Sequence, residues 1–182
     1  MPGRCRAVSL LAGVAPLDAD GLDWLAGMGE ENVRDFEAVQ AGREAYRPIA
    51  EEQVEELRSV TGDDIVASFG DLVDEVDAAA LTGDFAETVA ASFRHAVEQG
   101  AVGMVEDTLQ IVAPWGFDVR SLAVPVAVWQ GEHDRMVPYA HGQWLASAIP
   151  GARAHLFADE GHLSLVARID EILADLKALA GI

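Results

Sequence analysis

The chain has 182 residues, 51% of them hydrophobic, which is enough for one domain with a core, or one domain with a lid. It contains no run of about 18 uncharged apolar residues, so the sequence predicts no transmembrane helix. Its 31 acidic and 12 basic residues give a formal net charge of −19, and such a surface repels phosphate backbones and anionic membranes. We therefore expect neither nucleic acid nor a membrane as a partner.

The single cysteine and the N-terminal residues bear on the cellular compartment. Cys5 has no second cysteine to pair with, so an internal disulfide is excluded. The mixed residues before Ala7 do not have the form of a secretory signal. These features predict a cytoplasmic location. Cys5 itself is interpreted as a small buried or strand-entry residue and not as a nucleophile.

Three segments predict buried strands, and the long region after the first predicts helices. The strands are expected at 7–12, 124–129 and 154–157, and the first two are nearly continuous apolar runs, as in parallel sheets. Asp18 and Asp20 are candidate caps for the first helix of the intervening region. Helical spacing of apolar residues, or flanking turn residues, predicts helices in stretches that include 22–28, 54–60, 85–99 and 102–112.

The C-terminal third alternates between strand, loop and helix. Helices are predicted over 140–148 and 163–180, each following a loop that leaves a predicted strand. This order is typical of a parallel α/β sheet, in which functional residues lie in the loops at the carboxyl ends of the strands. We define the acid loop as residues 131–138 and the histidine loop as residues 159–165.

Each of these loops contains one residue suited to acid–base chemistry. The acid loop contains Asp134 and the histidine loop contains His162, 28 positions further along the chain. Two neighbouring parallel strands would bring these side chains together. Histidine titrates near neutral pH and suits a general base, while a carboxylate on its far ring nitrogen fixes the tautomer and stabilises the imidazolium.

The two loops resemble those of the α/β-hydrolase superfamily. The resemblance is carried by Gly131-x-x-Asp134-x-x-Val137-Pro138 and by Gly161-His162, in this order and spacing. It extends to Trp129, to residues 141–146, to residues 150–152 and to residues 12–16, and the alanine-rich, acidic composition is similar to that of bacterial hydrolases.

This resemblance implies a partial α/β-hydrolase fold with about three parallel strands, flanking helices and a large helical lid. Residues 1–14 and 115–182 would form the C-terminal part of the core, and residues 15–114 the lid. Five large side chains are expected to line a pocket for a small-molecule substrate, or else to form ordinary lid core. They are Trp24, Met28, Phe36, Trp115 and Phe117.

The chain departs from the family at the nucleophile. Family members carry it before the acid and the histidine, on a Gly-x-Ser-x-Gly elbow, and no such motif occurs here. Ser9 lies inside the first predicted strand without flanking glycines, and Ser164 is interpreted as a helix start. The resemblance therefore implies a truncated member with Asp134 and His162 as remnants of a triad, inactive on its own because the oxyanion hole is also missing.

The missing part has a consequence for association, because the first predicted strand lacks a neighbour. We expect self-association through this strand, binding of an N-terminal partner chain, or low stability. Two functional classes remain open. One is a hydrolase of an ester, lactone, amide or related bond, with the nucleophile outside the chain. The resemblance also leaves open an aspartate nucleophile, which relatives of this fold use on haloalkanes and epoxides. The other is an inactive product or a small-molecule-binding or interaction module with a vestigial Asp134–His162 pair.

The other histidines are interpreted as unrelated to this chemistry. His133 is expected at the surface, His95 and His141 on solvent-facing helical positions, and His155 half-buried in a strand. No cluster has the spacing of metal ligands, and no glycine-rich phosphate loop occurs, so the sequence predicts neither a metal nor a cofactor.

Overall fold

The fold is built on a sheet of three parallel strands in the order β1-β2-β3. The computed structural model describes residues 4–68 and 70–182, with β1 at Val8–Leu11, β2 at Val126–Gly131 and β3 at Arg153–Phe157. The register pairs Val8 with Val126 and Gly131 with Phe157. The predicted parallel α/β class and all three predicted strands are thereby confirmed. The second strand lies two residues later than expected. Pro125, which has no N–H to donate, precedes it, and its carbonyl oxygen accepts from the amide of Val8.

Six helices lie between β1 and β2, and we refer to them together as the helical insertion. They are α1 (Glu30–Ala41), α2 (Arg43–Leu57), α3 (Gly62–Ser68), α4 (Glu75–Ala80), α5 (Gly83–Ala96) and α6 (Val102–Val112). The bounds predicted for the last of these are confirmed. The interpretation of residues 15–114 as a lid stays a prediction.

The helix expected around Leu22, Leu25 and Met28 is wrong. Residues 17–29 form successive turns, and the first helix begins only at Glu30. Gly21 and Gly27 have φ angles of +77° and +92°, which a right-handed helix cannot contain. The apolar spacing instead reflects turns that bury Trp24 and Met28 against the core.

Alternate side chains of β2 enter two separate layers. Val126 and Val128 pack with Leu145 and Ile149, at the end of α7 (Tyr139–Ala148). Ala127 and Trp129 face the opposite side. There they pack with Ile172 of α8 (Ile169–Ala180). All six residues of β2 are buried because it is the central strand and is covered on both faces.

The insertion has small apolar clusters of its own. One is centred on Ile65, Leu81 and Ala90, and another on Val39, Tyr46 and Val105. Each joins at least two helices, so the insertion does not depend only on the sheet for its packing. In the described ranges there are also three short 3₁₀ segments, at Gly70–Leu72, Val119–Ser121 and Ser164–Arg168.

Strand β1 forms one edge of the sheet in the part of the chain that the structure describes. The amides of Val8 and Ala12 donate to carbonyl oxygens on the β2 side, so those of Ser9 and Leu11 point the other way. The side chain of Ser9 has a buried hydroxyl without a hydrogen-bond partner, and Leu11 is 40% exposed. None of the helices described in this structure is both long enough and apolar enough to cross a membrane.

Candidate active site

The acid loop and the histidine loop lie side by side at the carboxyl ends of β2 and β3. The amide of His133 donates to the carbonyl oxygen of Glu160 at 2.9 Å, and the amide of Glu132 donates to that of Phe157 at 2.8 Å. A Cβ atom added to Gly131 would lie 2.2 Å from the Glu160 carbonyl oxygen. Glycine at this position therefore permits the close approach of the two loops.

The approach places Asp134 and His162 in direct contact. Nδ1 of His162 lies 2.9 Å from Oδ2 of Asp134, whose side chain is fully buried, while the imidazole side chain is 28% exposed. No residue in the described ranges hydrogen-bonds Nε2 of His162. The ring thus has one nitrogen held by a carboxylate and the other free to meet a reacting group.

Asp134 is held by three further donors. Its Oδ1 accepts from the amides of Met136 at 2.9 Å and Val137 at 2.7 Å, which turns the acid loop around the carboxylate. Its Oδ2 also accepts from Nε2 of Gln130 at 2.8 Å. Each buried oxygen therefore has two donors, which fixes the carboxylate that faces His162.

The surroundings raise the pKa of His162 above its ordinary value of 6.5. Burial lowers the pKa, but the hydrogen bond to Asp134 and the negative charges of Asp134 and Asp77 outweigh it. Asp134 thus stabilises the imidazolium that forms when Nε2 accepts a proton.

Two further residues at this site, Asp77 and Gln130, were not predicted from the sequence. Asp77 lies on α4 of the helical insertion, is completely buried, and accepts hydrogen bonds from the backbone of the histidine loop. Gln130 is the penultimate residue of β2, and its amide reaches Asp134. An amide in an otherwise apolar strand was a signal for Gln130, whereas nothing in the sequence linked Asp77 to a loop 85 residues away.

Two of the five predicted pocket residues, Trp24 and Phe36, pack against each other, and Trp24 also contacts His141. The Trp24 ring makes edge contacts with the ring of Phe36, at 4.7 Å between centroids, and with that of His141, at 5.3 Å. Met28, four residues after Trp24, is buried at 6% exposure. The Trp24 indole donates to the Ala15 carbonyl at 2.8 Å. These contacts are typical of packed core, and a role in substrate binding stays a prediction.

Trp115 and Phe117 lie elsewhere, in a surface cavity of about 250 Å³. Their rings are 5.8 Å apart, and the guanidinium of Arg120 lies 5.3 Å from the Trp144 ring on the same cavity wall. Neither Asp134 nor His162 lines this cavity. The structure therefore does not gather the five predicted residues into one pocket with the Asp134–His162 pair.

His141 was predicted to face solvent, and that prediction is wrong. The residue is 0% exposed. Its Nδ1 accepts from the Ala15 amide at 3.1 Å, and its Nε2 lies 2.9 Å from the Trp24 carbonyl oxygen. These partners assign the neutral tautomer with the proton on Nε2. The helical pattern of α7 did not reveal the segment after β1 that covers this residue.

The remaining sequence predictions concern surface groups. His95 and His133 are exposed, with side-chain exposures of 83% and 39%, and His155 is partly buried at 22%, as expected. Cys5 is exposed, so its interpretation as a buried residue is wrong. Ser164 begins a 3₁₀ segment and accepts from the Gly161 amide at 2.8 Å. Among the described residues, no group of three or more His, Cys, Asp or Glu side chains could hold a metal ion.

Comparison with protein-family models found no match, and comparison with curated proteins found none either. Solved structures are informative. An esterase from Rhodococcus sp. ECU1013, RhEst1, aligns at a TM-score of 0.56 and 15% identity over 97% of this chain and 56% of its own. An α/β-hydrolase fold protein from Chitinophaga pinensis aligns at 0.57 and 15% identity over 98% and 57%.

A meta-cleavage product hydrolase from Pseudomonas fluorescens IP01 aligns at a TM-score of 0.51 and 14% identity, over 94% of this chain and 54% of its own. The chain therefore has part of an α/β-hydrolase fold, which confirms the partial fold that the resemblance of the two loops predicted. It spans a little over half the length of these solved structures.

Proposed function

We propose that Asp134 and His162 are the acid and the base of an α/β-hydrolase active site that cleaves an ester, lactone, amide or related bond. The proposal rests on one observation above all. His162 contacts the buried Asp134 through Nδ1 at 2.9 Å and leaves Nε2 without a partner among the described residues. This is the arrangement that a histidine base requires.

In the proposed mechanism, Nε2 of His162 accepts the proton of an attacking hydroxyl group. Where the nucleophile is a serine, that hydroxyl is its own, and His162 then returns the proton to the leaving group. Where the nucleophile is an aspartate, the substrate is instead a haloalkane or an epoxide: the carboxylate attacks an alkyl carbon, the carbon–halogen or carbon–oxygen bond breaks, and His162 deprotonates the water that hydrolyses the resulting ester. In both cases Asp134 holds the Nδ1 proton and stabilises the imidazolium.

The nucleophile is proposed to come from a segment outside these 182 residues, since the sequence has no Gly-x-Ser-x-Gly elbow. The edge of β1 supports this proposal, because its outward amides have room for another parallel strand. Exposed apolar side chains near that edge and on α8 also support the proposal. Helix α8 packs against both β1 and β2. The exposed side chains are Leu11, Ile169 and Leu173, each 40–45% exposed.

The substrate is proposed to be a small molecule enclosed under the helical insertion. His162 lies in the histidine loop, which follows the carboxyl end of β3. Helix α4 of the insertion packs directly onto this loop. A helical cover of this kind would exclude water from the reacting bond. The net charge of −19 disfavours nucleic acid and anionic membranes as partners.

The DNA immediately upstream of the Met1 codon tests the proposal for the nucleophile. We expect an in-frame or frameshifted segment that encodes a strand, a Gly-x-Ser-x-Gly or equivalent aspartate elbow, and a helix. Unrelated sequence there, together with no turnover of acyl esters by the 182-residue chain, would contradict the hydrolase proposal. Tight binding of a small apolar ligand without turnover would then favour a binding module with a vestigial pair.

A further inference from the structure

The carboxylate of Asp77 lies in the turn that presents His162. Asp77 belongs to α4 of the helical insertion and is 0% exposed. Its Oδ2 accepts from the amide of His162 at 2.8 Å, and its Oδ1 accepts from the amides of Leu163 at 2.8 Å and Ser164 at 2.9 Å. Three consecutive backbone donors of the histidine loop thus converge on one carboxyl group, which comes from a different part of the chain.

The loop is shaped around this carboxylate. A Cβ atom added to Gly161 would lie 2.4 Å from Oδ1 of Asp77, so no larger residue fits there without displacing it. The Gly161 amide turns away and donates to the hydroxyl of Ser164 at 2.8 Å. In the described part of the chain, no basic side chain forms an ion pair with Asp77. Backbone N–H groups therefore satisfy the buried carboxylate.

The same helix also reaches the acid loop. Asp74, the N-cap residue of α4, lies 3.3 Å from Nδ1 of His133 through its Oδ2 atom. Both partners are more than a third exposed, so this ion pair contributes little to stability. It nevertheless places α4 against both loops, with the buried contact on the His162 side.

We propose that Asp77 is a positioning residue for His162: its carboxylate holds the backbone of the histidine loop so that Nδ1 stays against Asp134 and Nε2 stays open. Two carboxylates then fix one histidine, Asp77 at the main chain and Asp134 at the ring. The inference rests on the function proposed above. It adds that the helical insertion helps to set the geometry and the basicity of the base, besides covering it.

A simple structural cap would make a different prediction. Removal of such a cap would lower the free energy of unfolding, and the loss of its charge alone would lower the pKa of His162. The Nδ1 hydrogen bond to Asp134 would stay unchanged in the protein that remains folded. A positioning residue changes the ring itself. The charged groups that act on His162 are Asp134, in contact with the ring, and Asp77, at the backbone, and both raise its pKa.

The test is an NMR titration of the full 182-residue chain labelled with ¹³C and ¹⁵N in histidine. The readouts are the pKa of His162 and the downfield resonance of the Nδ1 proton shared with Asp134. For Asp77→Asn we expect a lower pKa of His162 and a weakened or lost Nδ1 proton signal. The matched control is Asp74→Asn on the same helix, which we expect to lower the pKa of His133 and leave His162 unchanged.

A second variant covers the case in which Asp77→Asn does not fold. Gly161→Ala keeps the charge of Asp77 but pushes a methyl group into its carboxylate, so we expect the Nδ1 proton signal to weaken or disappear. Folded variants in which the Nδ1 proton signal matches the wild type would overturn the proposal, even where the pKa of His162 is lower, because loss of the Asp77 charge alone lowers that pKa. Because the readout needs no turnover, this failure is distinguishable from a failure of the proposed hydrolase function, which the activity of the His162 variant tests.

Discussion

The side-chain amide of Gln130 links Asp134 to the turn that contains it. Its Nε2 donates to Oδ2 of Asp134 and to the carbonyl oxygen of Val137, both at 2.8 Å, and Gln130 is 0% exposed. The Oδ2 atom that faces His162 is therefore also fixed from the strand side. The side-chain amide of Gln130 thus joins strand β2 to the acid loop.

We predict that Gln130→Met lowers the free energy of unfolding by about 1–3 kcal/mol. Methionine has a similar length but no donor, so the Val137 carbonyl is left without this bond and Asp134 loses one of its four donors. Urea denaturation measures the change. The control is Gln40→Met on the exposed face of α1, which we expect to stay within about 0.5 kcal/mol of the wild type. Equal effects of the two substitutions would contradict this role of Gln130.

The glycine opposite this amide gives a second prediction. A Cβ atom at Gly142 of α7 would lie 2.5 Å from Cβ and Cγ of Gln130, so Gly142→Ala is expected to cost about 1–3 kcal/mol of stability. Gly103→Ala in α6 is the matched control, because its Cβ atom would meet nothing within 4 Å. Alanine there is expected to raise stability by up to about 1 kcal/mol. Urea denaturation measures both changes. An increase in the free energy of unfolding for Gly142→Ala would contradict the close packing of α7 on β2.

His141 gives a pH-dependence of stability. Burial lowers its pKa below 6.5, and this effect outweighs the hydrogen bond to the Trp24 carbonyl and the charge of Asp134. Between the folded pKa and 6.5 the unfolded chain binds more protons than the folded chain. The contribution of His141 is therefore present above pH 6.5 and is lost as the pH falls through the folded pKa.

We expect the wild type to lose more stability than His141→Gln when the pH is lowered from about 7.5 to about 5.5. Glutamine can accept from the Ala15 amide and donate to the Trp24 carbonyl without titrating. His133 and His162, whose pKa values are raised, act in the opposite direction, but they are present in both proteins and cancel in the comparison. Parallel pH profiles of the two unfolding free energies would contradict the lowered pKa of His141.

The exposed edge of β1 gives a prediction about association. We expect the isolated chain to self-associate in sedimentation experiments, and we expect Leu11→Lys to reduce the associated fraction, because charge on an edge strand opposes further strand pairing. Val102→Lys is the control, since Val102 is 71% exposed but lies on α6. A wild type that is monomeric at all concentrations would contradict the expected self-association.

The sequence allowed prediction of the parts of the fold that depend on local pattern. Strand β2 is an apolar run between turn residues, and the spacing of Asp134 and His162 places them at the ends of adjacent strands. The structure brings these two residues to 2.9 Å, although their catalytic role stays a prediction. The turns at 17–29 were missed because glycine-dependent turns can bury side chains at nearly helical spacing.

The parts that could not be predicted depend on contacts between distant segments. Asp77 reads as one more acidic residue in an acidic chain, and only the packing of α4 on the histidine loop distinguishes it. His141 occupies a helix position that is solvent-facing in isolation and becomes buried when residues 15–24 fold over it. In both cases tertiary packing decides the burial, and local sequence does not encode it.

Acyl-ester hydrolysis by the product of the reading frame that contains these 182 residues tests the proposed roles of His162 and Asp134 most directly. We expect turnover of p-nitrophenyl butyrate, with kcat/KM rising as the pH increases through a pKa above 6.5, because His162 must be neutral to act as a base. His162→Ala is expected to lower kcat by about 10⁶-fold and Asp134→Asn by about 10⁴-fold, while His95→Ala on the exposed surface of α5 leaves it unchanged. Unchanged turnover in His162→Ala would contradict the assignment of His162 as the catalytic base.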